Sequence, residues 1–146
     1  MALIDETPID PEGGWVADHV RQYVESGGTE GHYWQPGVPT LLLTTRGRKS
    51  GKARRTALIY GMDGDDYVVL ASYGGAPANP DWYVNIEADP EVVIQVGTEV
   101  MAATARTAGP GERERLWRVM TDIWPDYDEY DTKTPREFPL VVFSAA

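Results

Sequence analysis

The stretch from Thr40 to Thr107 carries five β-type runs, and its turns leave little room for anything but antiparallel pairing. The runs are Thr40–Thr45, Arg55–Met62, Tyr67–Ser72, Glu91–Gly97 and Glu99–Thr107. The tight turns Gly47–Gly51, Asp63-Gly64-Asp65-Asp66 and Gly97-Thr98 separate most of them, whereas parallel neighbours need crossovers of a dozen residues or more. A doubly wound parallel sheet is therefore excluded. The unbroken apolar middle of Tyr67–Ser72 predicts a strand buried on both faces. Phe138–Ser144 supplies a last strand.

Helices flank these strands. Trp15, Val16, Val20, Tyr23 and Val24 fall at helical spacing, with Gly27-Gly28 as the stop. Asn79-Pro80 reads as an N-cap followed by a proline at the first helical position, opening a short helix that closes before Pro90. Leu116, Val119, Met120 and Ile123 form one apolar stripe on Gly111–Trp124, which Pro125 ends. Thr29–Gly37 is polar and turn-rich and reads as a loop. The expectation is an α+β, barrel-like sheet with flanking helices. At 146 residues there is room for one domain, with residues 1–37 as a helix-and-loop lead-in and 38–146 as the barrel.

Composition removes several chemistries. There is no cysteine, so disulfides, thiolate catalysis and Cys-based metal sites are out. With only His19 and His32, a three-histidine metal site cannot form within one chain. The apolar runs are too short to cross a bilayer, and Met-Ala-Leu-Ile-Asp-Glu is no secretion signal. A cytoplasmic protein is expected. Asp18 and Glu25 on the first helix speak against a membrane anchor there.

Charge is the first functional signal. The net charge is −10, which disfavours a nucleic-acid coat. Yet Arg46, Arg48, Lys49, Lys52, Arg54 and Arg55 place six of the 13 Lys and Arg residues within ten positions that hold no acid. Such a cluster is either a solvated charged hairpin or a socket for a polyanion. Its glycines and the hydroxyls of Thr45 and Ser50 suit phosphate, although the spacing is not that of a P-loop.

Two further segments invite a ligand reading. Ala71-Ser72-Tyr73-Gly74-Gly75-Ala76 runs through small residues toward the helix start at Asn79-Pro80, where free N–H groups can meet a heterocycle's carbonyls or a negative group. A plain glycine-requiring connection reads equally well. Trp124, Tyr127 and Tyr130 recur every three residues around Pro125, as core packing or as a lid over an apolar ligand. The acids among them lack the glycine and final glutamate of an EF-hand, so no metal is expected.

Taken as sequence, Leu43–Arg54, Ala71–Ala76, Asn79-Pro80-Asp81-Trp82-Tyr83-Val84-Asn85 and Trp124–Tyr130 resemble the deazaflavin (coenzyme F420)-dependent nitroreductase and quinone reductase family, in continuous order over about residues 38–143. The resemblance implies a split β-barrel of the flavin-reductase, FMN-binding type. It implies a coenzyme F420 whose phosphate and oligoglutamate tail meet Arg48, Lys49, Ser50 and Arg54. The ring would lie along Leu58, Ile59 and Tyr60, along Ala71, Ser72, Tyr73, Gly74 and Gly75, and by Asn79 and Trp82. Ser72, Tyr127 and Tyr130 are the expected catalytic hydrogen-bond donors to the oxygen of a small-molecule electron acceptor such as a quinone, enone, conjugated lactone or nitro compound. Many relatives carry lysine at Tyr73, methionine at Asp81 and tyrosine at Trp124, so substrate range does not transfer. Barrels of this type often pair as dimers, which makes a homodimer a candidate assembly. The competing readings are an FMN-dependent split-barrel enzyme and a non-catalytic deazaflavin-binding protein.

Overall fold

The computed structural model describes residues 2–72, 79–132 and 137–145. A short 3-10 turn, Leu3–Asp5, precedes α1 (Gly14–Glu25) and the strands β1 (Tyr33–Gln35), β2 (Val38–Arg46), β3 (Ala53–Ile59), β4 (Gly61–Asp63) and β5 (Asp66–Leu70). Then come α2 (Asp81–Ala88), β6 (Glu91–Val96), β7 (Glu99–Thr107), α3 (Pro110–Ile123), α4 (Asp126–Asp131) and β8 (Leu140–Ala145). The strands run in the order β1-β2-β6-β7-β8-β5-β4, with β3 also on β2, and all these pairings are antiparallel. This is the mixed α+β, curled half-barrel expected of the turns.

Alternation along the central strands builds two cores from one sheet. Val69, Val141 and Phe143 point into the barrel with Leu41, Leu43 and Ile94. Their neighbours Val68, Leu70, Leu140 and Val142 point the other way, under Leu116 and Met120 of α3. A run buried on both faces must be apolar at successive positions, which is what the sequence of β5 displays. Each such side chain contributes roughly 1.5–3 kcal/mol on burial. Gly61 lets α3 lie this close, since a Cβ there would come within 2.6 Å of Val119 Cγ1 and 3.0 Å of Ile123 Cδ1.

A third contact seats α1 against β2 through Val20, Tyr23 and Leu42. The Tyr23 hydroxyl faces the Thr40 carbonyl at 3.1 Å and accepts from the Gly97 N–H at 2.7 Å, tying α1 to two strands. Gly28 passes so near Gly97 that a Cβ would fall 1.8 Å from its carbonyl oxygen, at a φ of +92°.

Several local readings change. The 29–37 loop contains β1, which pairs Tyr33 with Pro39. The single run Arg55–Met62 is two strands, β3 and β4. Pro80, not Asn79, occupies the N-cap of α2. The post-proline segment is itself a helix, α4. Trp15 and Val24 of the α1 apolar set remain exposed, while Ala17, Val20 and Tyr23 are buried. Among the described residues, no helix is long and apolar enough to cross a membrane.

Candidate functional site

A cleft of about 560 Å³ opens along β3, from Arg54 to Ile59. Ala57, Leu58 and Ile59 give it an apolar strand face, and Leu70 and Ser72 close it from the end of β5. The start of α2 faces them with Pro80, Asp81, Trp82 and Asn85. The remaining wall comes from distant parts of the chain: Ile9, Asp10 and Pro11, Trp15 and Val16 of α1, Trp34 of β1, and Trp124, Tyr127 and Tyr130. Trp34 stacks on Trp15 at 5.3 Å between ring centroids and tilts against Trp124 at 5.0 Å. Tyr127 and Tyr130 meet edge to face at 6.0 Å.

One turn sets the polar rim. The Gly47 N–H donates to the Lys52 carbonyl and the Gly51 N–H to that of Gly47, each at 2.8 Å, closing the β2–β3 hairpin. The Arg48 guanidinium leaves this turn to donate to Asn85 Oδ1 at 2.8 Å, and its main-chain N–H donates to the same oxygen at 3.2 Å. Asn85 is buried and also donates to Thr45 Oγ1 at 3.2 Å, so one amide locks hairpin to α2. Arg48 further lies 3.3 Å from the exposed carboxylate of Asp81. Arg46 pairs with Glu6 and Arg55 with Asp10. Lys49, Lys52 and Arg54 have no ion pair among the described residues. The cluster that holds no acid in sequence has three of its six charges countered by acids brought from elsewhere.

The residues singled out from sequence divide accordingly. Arg54, Leu58, Ile59, Ser72, Trp82, Tyr127 and Tyr130 all line the cleft. Arg48 touches it through Asn85 and Asp81, whereas Lys49 and Ser50 are exposed on the turn. Tyr60 and Ala71 are not part of the lining but of the barrel core. The Tyr60 hydroxyl is 2.7 Å from His32 Nε2, and burial pushes its pKa up to about 12. Asn79 is half-buried, next to the lining residue Pro80. Tyr73, Gly74 and Gly75 lie outside the described residues. Sequence reasoning missed Asn85, Trp15, Trp34 and the Ile9–Pro11 segment as parts of the cleft. Only an exposed-type loop holding an indole hinted at Trp34.

One phenol of the lining is held as a donor. Burial, with Tyr130 beside it, raises the Tyr127 pKa well above that of a free phenol, so its hydroxyl keeps its proton at neutral pH. Neither histidine lines the cleft: His19 contacts Thr40 Oγ1 at 3.0 Å and His32 is held by Tyr60. A Ser-His-Asp hydrolase would need one of them beside Ser72.

The curled antiparallel sheet makes this a split-barrel protein, and its cleft joins an apolar strand face and aromatic rings to the cations Arg54 and Arg55. A family described as F420H(2)-dependent quinone reductase matches residues 15–145, and the chain belongs to it. It is 37% identical over 129 residues to an F420H(2)-dependent quinone reductase of Mycobacterium tuberculosis, covering 86% of this chain and 87% of that protein. The solved structure of an F420-H2 dependent reductase (FDR-A) is 40% identical with a TM-score of 0.68, over 73% of this chain and 94% of that one. A second solved structure, described as a domain-swapped dimer, is 37% identical with a TM-score of 0.71, over 89% of this chain and 97% of that one.

Proposed function

We propose that this chain is a coenzyme F420-dependent oxidoreductase that reduces a quinone or a comparably activated small molecule. The observation that carries the proposal is the union, in one cleft, of a ring-sized apolar face with Arg54, a cation without an ion pair among the described residues, on the hairpin whose exposed turn carries Lys49 and Lys52. These residues fit the coenzyme: Leu58, Ile59 and Trp82 suit its flat ring, and the cations suit its phosphate and oligoglutamate tail. The single phosphate of FMN would engage fewer of them.

When bound, the reduced coenzyme supplies the hydride; the chain supplies position and polarity. Arg54 and the hairpin would hold the anionic end, and Leu58, Ile59 and Trp82 would hold the ring. Ser72, Tyr127 and Tyr130 line the cleft, and their hydroxyls would donate to an acceptor oxygen as negative charge develops there. The indoles and tyrosines exclude water from the same space. A homodimer and a cytoplasmic setting complete the proposal, the first by analogy with the domain-swapped relative and the second from composition.

The test is calorimetric titration with tail-bearing and tail-free deazaflavin, followed by the absorbance change as reduced coenzyme is oxidised by a panel of quinones and enones. Expected are tighter, salt-sensitive binding of the tail-bearing form and turnover that falls about 10²–10³-fold in Ser72→Ala. Equal affinity for the two forms would contradict the cationic socket. Binding without oxidation by any acceptor would make the protein a carrier instead.

A further inference from the structure

The segment ahead of α1 places two acids on the basic hairpin. Glu6 Oε2 is 2.5 Å from Arg46 Nη2, and Asp10 accepts from both Nε and Nη2 of Arg55, at 2.6 and 2.9 Å. Main-chain bonds hold the segment there: the Ile9 N–H donates to the Ala53 carbonyl at 2.8 Å and the Arg55 N–H to the Ile9 carbonyl at 2.9 Å. Both acids precede residue 15, where the family match begins.

Of these two pairs, only Asp10–Arg55 lines the cleft, next to Arg54. The Arg55 side chain is only 16% exposed, so solvent and salt screen its charge weakly, and the carboxylate in contact with it is its main counter-charge. An incoming polyanion therefore meets Arg54 as an open cation and Arg55 as half of a neutral pair. Neither composition nor the hairpin's own sequence contains this difference.

We propose that Asp10 determines coenzyme specificity: by holding Arg55 it withdraws one cation from the socket and caps the affinity gained from each added carboxylate of the tail. The inference rests on the coenzyme reading above. Asp10 is a positioning residue here, since it acts on the ligand only through Arg55.

The test is titration calorimetry of the full chain with oxidised coenzyme carrying shorter and longer glutamyl tails, and with the tail-free deazaflavin, at two salt concentrations. Asp10→Asn should tighten the tail-bearing forms about fivefold, more for the longer tail, with a steeper salt dependence and no change for the tail-free form. Arg54→Gln and Arg55→Gln should each weaken the tail-bearing forms, the second because it leaves the Asp10 carboxylate uncompensated in the cleft, whereas Asp10→Asn with Arg55→Gln, which removes both charges of the pair, should return to wild type. The double variant decides the matter if Asp10→Asn melts early. A double variant that binds the tail-bearing forms as weakly as Arg54→Gln, or Asp10→Asn shifting every form equally, overturns this inference alone. A wild-type chain that binds no form at any tail length overturns the coenzyme reading and this inference with it.

Discussion

At the hairpin end of the cleft the lining cations, Arg54 and Arg55, are neighbours on one strand; at the aromatic end, three indoles arrive from positions 15, 34 and 124. The hairpin end is local: its turn closes on its own main chain, and only its orientation depends on Asn85. The aromatic end exists only when α1, β1 and α3 are all docked. A defect in helix docking should therefore disable the aromatic end and spare the cationic one. That asymmetry separates acceptor handling from coenzyme retention.

The largest effect expected is on the docking itself. Gly61→Val would drive a side chain into Val119 and Ile123, pushing α3 off β4 and costing about 1–3 kcal/mol in urea unfolding. Because Trp124 caps α3 and leads into α4, the acceptor KM should rise more than the coenzyme Kd. Parallel losses in the two would show that the ends are not separable.

A crossed pair of variants sharpens the same contrast. Arg54→Glu should weaken coenzyme binding by about tenfold, or 1.4 kcal/mol, with the acceptor KM unchanged at saturating coenzyme. Trp34→Ala, which removes the middle ring of the stack, should raise the acceptor KM several-fold, in line with about 0.5–1.5 kcal/mol for aromatic pairing, and leave the coenzyme Kd alone. Either variant moving both quantities equally would break the comparison.

The smallest effect concerns how α3 is anchored. The Arg106 guanidinium, aided by the Gly109 N–H at 3.0 Å, holds the Glu112 carboxyl down to about 2. Its folded value lies below the ordinary value of 4.5, so the stabilisation is fully present above about pH 4.5 and is lost as the pH falls toward 2. Glu112→Gln should lower the thermal midpoint slightly at neutral pH and flatten its fall over that window. An unchanged acid limb would mean that this pair does not hold the helix.

Much of this was legible beforehand. Tight turns between β-branched runs forced antiparallel pairing, the apolar run of β5 announced burial on both faces, and the α3 stripe announced its packing face. Ser72, Tyr127 and Tyr130 could be named from the small-residue and aromatic motifs, and Arg54, Leu58, Ile59 and Trp82 through the family resemblance; all of them line the cleft. Tyr60 could not be placed correctly, because alternation beyond the end of β3 sends its ring to the core and its hydroxyl to His32. Asn85 was hidden for a similar reason: a buried amide linking two elements leaves no local pattern.

The sequence by itself determined the antiparallel sheet, the packing faces of its central strands and helices, and the existence of a cationic hairpin, since each depends on residues within one turn or one period of one another. Only the tertiary structure decided which of those cations stay open. Ion pairing is a contact between groups that folding brings together across tens of positions, as with Glu6 and Arg46 or Asp10 and Arg55, and no spacing rule records it.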